Sequence, residues 1–213
     1  MKNKTKIIIS IIVAAIAIPI GIYTILPLFI NTEINEPLPP LSSESALVFE
    51  KFMAMTEDEK INAAKNMTVE EKNMIMKMAA KQNTTINENM TTTMDISQNT
   101  TEENKNLLVG DFMGVNDGIH NAEGYVKILT LLDGSQILRL EDFRSTNGPD
   151  VHLYLSTDKQ ASNFIDLGRL KANYGDQNYQ IPIDTDFNKY KNVLIWCQPF
   201  SVLFGSAQLN SSL

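Results

Sequence analysis

The chain has 213 residues, a formal net charge of −7 at neutral pH and a single cysteine. One cysteine excludes a disulfide framework, and the acidic balance excludes a nucleic-acid partner, which requires a basic footprint. The length leaves room for one domain of ordinary size with smaller segments around it.

Residues 1–6 carry Lys2, Lys4 and Lys6, and residues 7–30 carry no charged side chain. As a helix this apolar run would reach about 36 Å, enough to cross a hydrocarbon core of ~30 Å. No basic residue follows until Lys51. The charge asymmetry therefore predicts a cytoplasmic N-terminus, an uncleaved transmembrane anchor over 7–30, and everything after about residue 31 outside. A signal peptide cut near Ala15-Ile16-Ala17 is the alternative. The anchored reading predicts single-pass placement in the cell membrane, an extracytoplasmic C-terminal domain, and membrane lipid as a partner.

Residues 31–43 form a Pro-rich stalk. Residues 44–81 read as short helices. Thr56 with Glu59 and Thr68 with Glu71 have capping-box spacing, and the phrase MTxxEK recurs at Met55–Lys60 and Met67–Lys72. Eight of the ten methionines fall between Met53 and Met94, which suits either a soft-metal relay or the filling of a small irregular core. The i, i+4 pair Met74 and Met78 favours packing. Residues 82–105 are rich in Asn and Thr and read as a disordered linker carrying sequons at Asn83, Asn89 and Asn99. Asn66 and Asn210 head two more.

From residue 106 to 213 the pattern turns to strands. Tyr125–Leu132 and Ser135–Phe143 flank Asp133-Gly134, a two-residue type I′ hairpin signal. Val151–Ser156, Gln177–Ile181, Asn192–Cys197 and Val202–Leu209 alternate or run apolar, separated by Asn147-Gly148-Pro149-Asp150, Gly175-Asp176 and Gln198-Pro199. No amphipathic helix intervenes. The predicted fold class is all-β, an antiparallel sandwich or barrel preceded by the transmembrane helix and the short helical segment. In Asn192–Cys197, Val193, Ile195 and Cys197 share one face while Leu194 and Trp196 share the other.

The strings LRLEDFRSTNGPDVHLYLS (138–156), LGRLKANYGDQNYQIP (167–182) and YKNVLIWCQPFSVLFGSAQL (190–209) resemble the DM-thirteen domain family over about residues 107–210. The resemblance implies a β-sandwich related to the DOMON group and an electron-transfer role around the cysteine of a Trp-Cys motif, here Trp196-Cys197. The family's upstream Phe, His and Gly are matched by Phe112, His120 and Gly124.

Cys197 has several physical readings. It is an axial thiolate for haem, or a copper ligand with His120 or His152 and a weak thioether from Met113. It is alternatively a bare redox thiol, or a small buried core residue. Gln198, Pro199 and Phe200 follow Cys197 where a blue-copper site usually supplies further ligands. Asp150 reads as a turn residue that bonds local backbone N–H groups. No phosphate loop, H-E-x-x-H or nucleophile elbow is present, so hydrolase chemistry is not expected. Two functions follow. One is a membrane-anchored extracytoplasmic redox module centred on Cys197, with a membrane or extracytoplasmic redox partner. The other is a non-catalytic cell-surface binding or adhesion module with a structural cysteine.

Overall fold

Two reciprocal capping boxes start the second and third helices of the helical segment. The Thr56 N–H donates to Glu59 Oε2 at 2.8 Å while the Glu59 N–H donates to the Thr56 hydroxyl. Thr68 and Glu71 repeat the arrangement. Each box satisfies backbone donors that a helix N-terminus otherwise leaves free. The helices are α1 (Ser43–Met53), α2 (Glu57–Asn66) and α3 (Val69–Ala79). The structure, a computed structural model, describes residues 43–88, 107–131 and 133–212.

Among the described residues nine strands follow: β1 (Leu108–Gly114), β2 (Ala122–Thr130), β3 (Gln136–Ser145), β4 (Val151–Ser156), β5 (Phe164–Arg169), β6 (Gln177–Ile181), β7 (Asn192–Cys197), β8 (Val202–Gln208) and β9 (Asn210–Ser211). The sheet runs β5-β4-β7-β8-β1-β2-β3-β6, antiparallel throughout, with β9 added to β1. β5 and β6 approach each other, which nearly closes the sheet into a barrel. Of the sandwich or barrel left open by the sequence, the nearly closed barrel is what forms: β1 pairs with β2 through Leu108–Asp111 and with β8 through Phe112–Gly114, stitching both halves into one sheet. Such near-closure leaves only β5 and β6 as edges of the main sheet path, and these face each other.

The hairpin also differs from expectation. The Leu131 N–H donates to the Ser135 carbonyl, so three residues lie between the paired positions where a type I′ turn has two, and Gly134 has φ +82°.

Inside the barrel, Val151, Leu153 and Leu155 of β4 lie opposite Cys197, Ile195 and Val193 of β7, and all six are buried. The helices pack against one end. Phe52 stacks on Phe200 at 5.5 Å between ring centroids, and Met76 Sδ lies 4.0 Å from Cys197 Sγ. Ile75, Met76 and Ala79 belong to the same packed cluster as the barrel interior, and Met53, Met55, Met67, Met74 and Met78 pack around it. The methionines therefore fill the helix–barrel junction, as flexible thioethers do in irregular gaps. From 82–105, the described residues 82–88 are tied to the barrel: the Ile86 N–H donates to Tyr174 O, and Glu88 accepts from Lys171 and the Asn178 N–H.

No helix among the described residues is long and apolar enough to cross a membrane. The 7–30 run, the stalk up to residue 42, and the sequons at Asn89 and Asn99 lie outside the described residues. The transmembrane helix, the single-pass placement in the cell membrane and the lipid partner are thus corrected: nothing in the described fold supports them.

Candidate metal centre

β4 starts where Pro149 ends a turn, and strand alternation then sends Asp150 and His152 to the same face. The Asp150 carbonyl accepts the Gln198 N–H at 3.0 Å, so the ladder with β7 already holds Asp150 before the strand proper begins. On the other side, β5 pairs with β4 through an irregularity: His152 faces Arg169 and Tyr154 faces Asp166, so Leu167 and Gly168 together oppose Leu153. Gly168 has φ +104°, a conformation that favours glycine. This bulge turns both Asp166 and Arg169 toward His152.

His152 Nδ1 lies 2.9 and 3.1 Å from the two Asp166 oxygens, which fixes the ring and leaves Nε2 facing Asp150. Nε2 is 3.3 Å from Asp150 Oδ1. Glu57, the first residue of α2, completes the group: a carboxylate oxygen of Glu57, one of Asp150 and a ring nitrogen of His152 all lie within 4.8 Å of one another. The Asp150 and His152 side chains are 0% and 4% exposed. Arg169 Nη2 approaches Asp150 Oδ1 at 2.7 Å as a charge contact, yet neither Asp150 oxygen nor His152 Nε2 has an aligned hydrogen-bond partner. A buried carboxylate without hydrogen bonds carries a desolvation cost of several kcal/mol. Two ligands about 2.1 Å from one tetrahedral ion stand about 3.4 Å apart, close to the separation found here.

Charge in the cluster is dense. Burial pulls the His152 pKa down, but the Asp150 and Asp166 carboxylates outweigh it and raise it to about 9. Burial pushes the Asp150 carboxyl up, but His152, Arg169 and Lys60 hold it below the usual range. Lys60, itself buried, donates to the Pro149 carbonyl at 3.3 Å.

The other expected site residues are dispersed. Cys197 is 0% exposed, and burial pushes its thiol up to about 12. It points into the barrel with Val151, whereas His152 points to the opposite face, so the two do not converge. Met113 is 70% exposed on β1, on the outer face opposite Ser206. His120 is held locally: Nδ1 lies 2.6 Å from Asp117 Oδ2 and its ring packs on Phe204 at 4.9 Å. Among the described residues, the group able to share one ion is Glu57, Asp150 and His152, and Cys197 is not in it. The expected redox partner is corrected on this ground: a sealed, protonated thiol is neither an attacking nor an exchanging group, so the described fold gives no support to a partner acting at Cys197.

Sequence reading gave Asp150 a turn role and did not single out Glu57. The Asp-x-His spacing at the head of a strand was a usable signal for the first, because period two puts both on one face. No local signal could have brought in Glu57, which lies in the helical segment 93 positions before Asp150.

These features define a helix-capped, antiparallel β-barrel with a buried His–carboxylate cluster at the capped end. Residues 112–209 match the model of the family described as Electron transfer DM13. The match begins at Phe112 and ends at Leu209, so α1 to α3 lie outside it. No curated protein and no solved structure matches the chain.

Proposed function

We propose that this protein is a divalent-cation-binding barrel whose ion joins the helical segment to the DM13 domain. The observation that carries the reading is the His152–Asp150 pair: two buried donors 3.3 Å apart, both without aligned hydrogen bonds, with Glu57 in reach from a different segment. Asp166 supports it further, because metal-ligating histidines usually give their second ring N–H to a carboxylate that sets tautomer and orientation. One imidazole and two carboxylates suit Zn²⁺ or another first-row divalent ion and do not suit Cu(I), which prefers sulfur.

The ion would supply the positive charge that the Asp150 oxygens lack in directional form. It would also fix Glu57, and with it the start of α2, against β4. The test is calorimetric titration of the full-length chain with Zn²⁺ alone. One site per chain is expected, lost in His152→Ala. Asp166→Asn should weaken it by roughly tenfold to a hundredfold, the usual effect of removing a residue that orients a ligand. Absence of saturable binding to the folded wild-type chain would reject the reading.

A further inference from the structure

Arg169 stands where the proposed ion would have to go. Its Nη2 is 2.7 Å from Asp150 Oδ1 and 3.2 Å from Glu57 Oε1, so one guanidinium nitrogen bridges the barrel carboxylate and the helix carboxylate. A divalent ion held by the same two carboxylates would sit beside that nitrogen, and two cations do not share so small a gap without strong repulsion. One must leave. The Arg169 side chain is 51% exposed whereas Asp150 and His152 are 0% and 4% exposed, so the arginine has a path to water and these two ligands do not. Lys60 is no substitute, because its ammonium is buried and occupied by the Pro149 carbonyl.

We infer that Arg169 is a resident counter-ion of the cation site, displaced to solvent when a divalent ion binds and returning when it leaves. The inference rests on the reading of Glu57, Asp150 and His152 as that site. Two consequences follow. The arginine keeps the buried carboxylate neutralised between binding events, and it competes with the ion and so sets the affinity. The link between α2 and the barrel is kept in both states, through guanidinium in one and through metal in the other.

Two measurements on the full-length chain test this. In the first, Zn²⁺ affinity is obtained by competition with a chromophoric chelator for wild type, Arg169→Gln and Arg169→Lys. Removing a half-exposed competitor is expected to tighten binding roughly fivefold in Arg169→Gln, with Arg169→Lys nearer to wild type. Equal or weaker binding by Arg169→Gln overturns the inference and leaves the cation site standing. No binding by any of the three overturns the site itself. The second needs no substitution: peptide mapping of arginine modification by phenylglyoxal in wild type, with and without saturating Zn²⁺. Release of the guanidinium predicts faster modification at Arg169 on saturation. An unchanged rate in a chain that has bound zinc contradicts it, even if Arg169→Gln does not fold.

Discussion

Cys197 shows how little a residue type says before its surroundings are known. Its sulfur lies against Met76 Sδ, out of contact with solvent, and burial holds the thiol at about 12. At pH 8 the thiolate fraction is then roughly one part in ten thousand, so a thiol reagent should label the native chain negligibly and the unfolded chain fully. Rapid labelling of folded protein would contradict the packing described. His120 is also set by its neighbourhood. Burial pushes the Asp117 carboxyl up, but His120 and the backbone N–H groups of His120 and Ile119 outweigh it, leaving the pKa at about 2. A depressed carboxyl stabilises the fold above its unfolded value of 3.8 and loses that contribution as pH falls through about 2. Acid unfolding of Asp117→Asn should lack this component, seen as a flatter stability profile between those limits. Sequence reading singled out His120, His152 and Cys197 on residue type. It did not find their partners, because Asp117, Asp150 and Asp166 are ordinary turn and strand residues until the chain is folded.

Legibility is greater for whole elements. The capping boxes at Thr56 and Thr68 are visible as four-residue patterns because their physics is local. Thr68→Ala should cost about 1 kcal/mol, measured as a shift in denaturant midpoint without a change in slope. Strands with strong apolar content were readable too, including Val151–Ser156 and Asn192–Cys197. β1 was not, since Gly110 and Gly114 dilute its pattern. Both glycines are needed: a side chain at Gly110 would meet the Gln208 carbonyl at 2.6 Å, and one at Gly114 would run into Asn121. β5 was missed because it is an edge strand with a bulge and few buried side chains. The 84–88 segment reads as linker by composition, yet its backbone lies on the barrel beside Gly175, whose φ of +96° no ordinary residue adopts freely. Gly175→Ala should destabilise by more than about 1 kcal/mol, because a methyl there meets the Ile86 carbonyl as well.

At the scale of the molecule, Phe52, Ile75 and Met76 share one core with Phe112, Leu153, Ile195 and Phe204. A core common to helices and barrel should unfold in one step. Ile75→Ala, at a site with 0% exposure, is expected to cost about 2–5 kcal/mol. Helical circular dichroism and the fluorescence of Trp196 should report the same midpoint, and separate midpoints would show that the helices dock independently. The union of helices with barrel had no signal in the sequence, because it is made by contacts between segments far apart in the chain. The same union assembles the cation site, with Glu57 from one part and Asp150 and His152 from the other. The most direct measurement is an anomalous-difference map, collected at the zinc edge, from crystals of the full-length chain grown with Zn²⁺. A peak within about 2.0–2.2 Å of His152 Nε2 and an Asp150 oxygen, with Arg169 turned away, is the expected result. A map with no peak between those side chains, and Arg169 still seated on Asp150, would contradict the account.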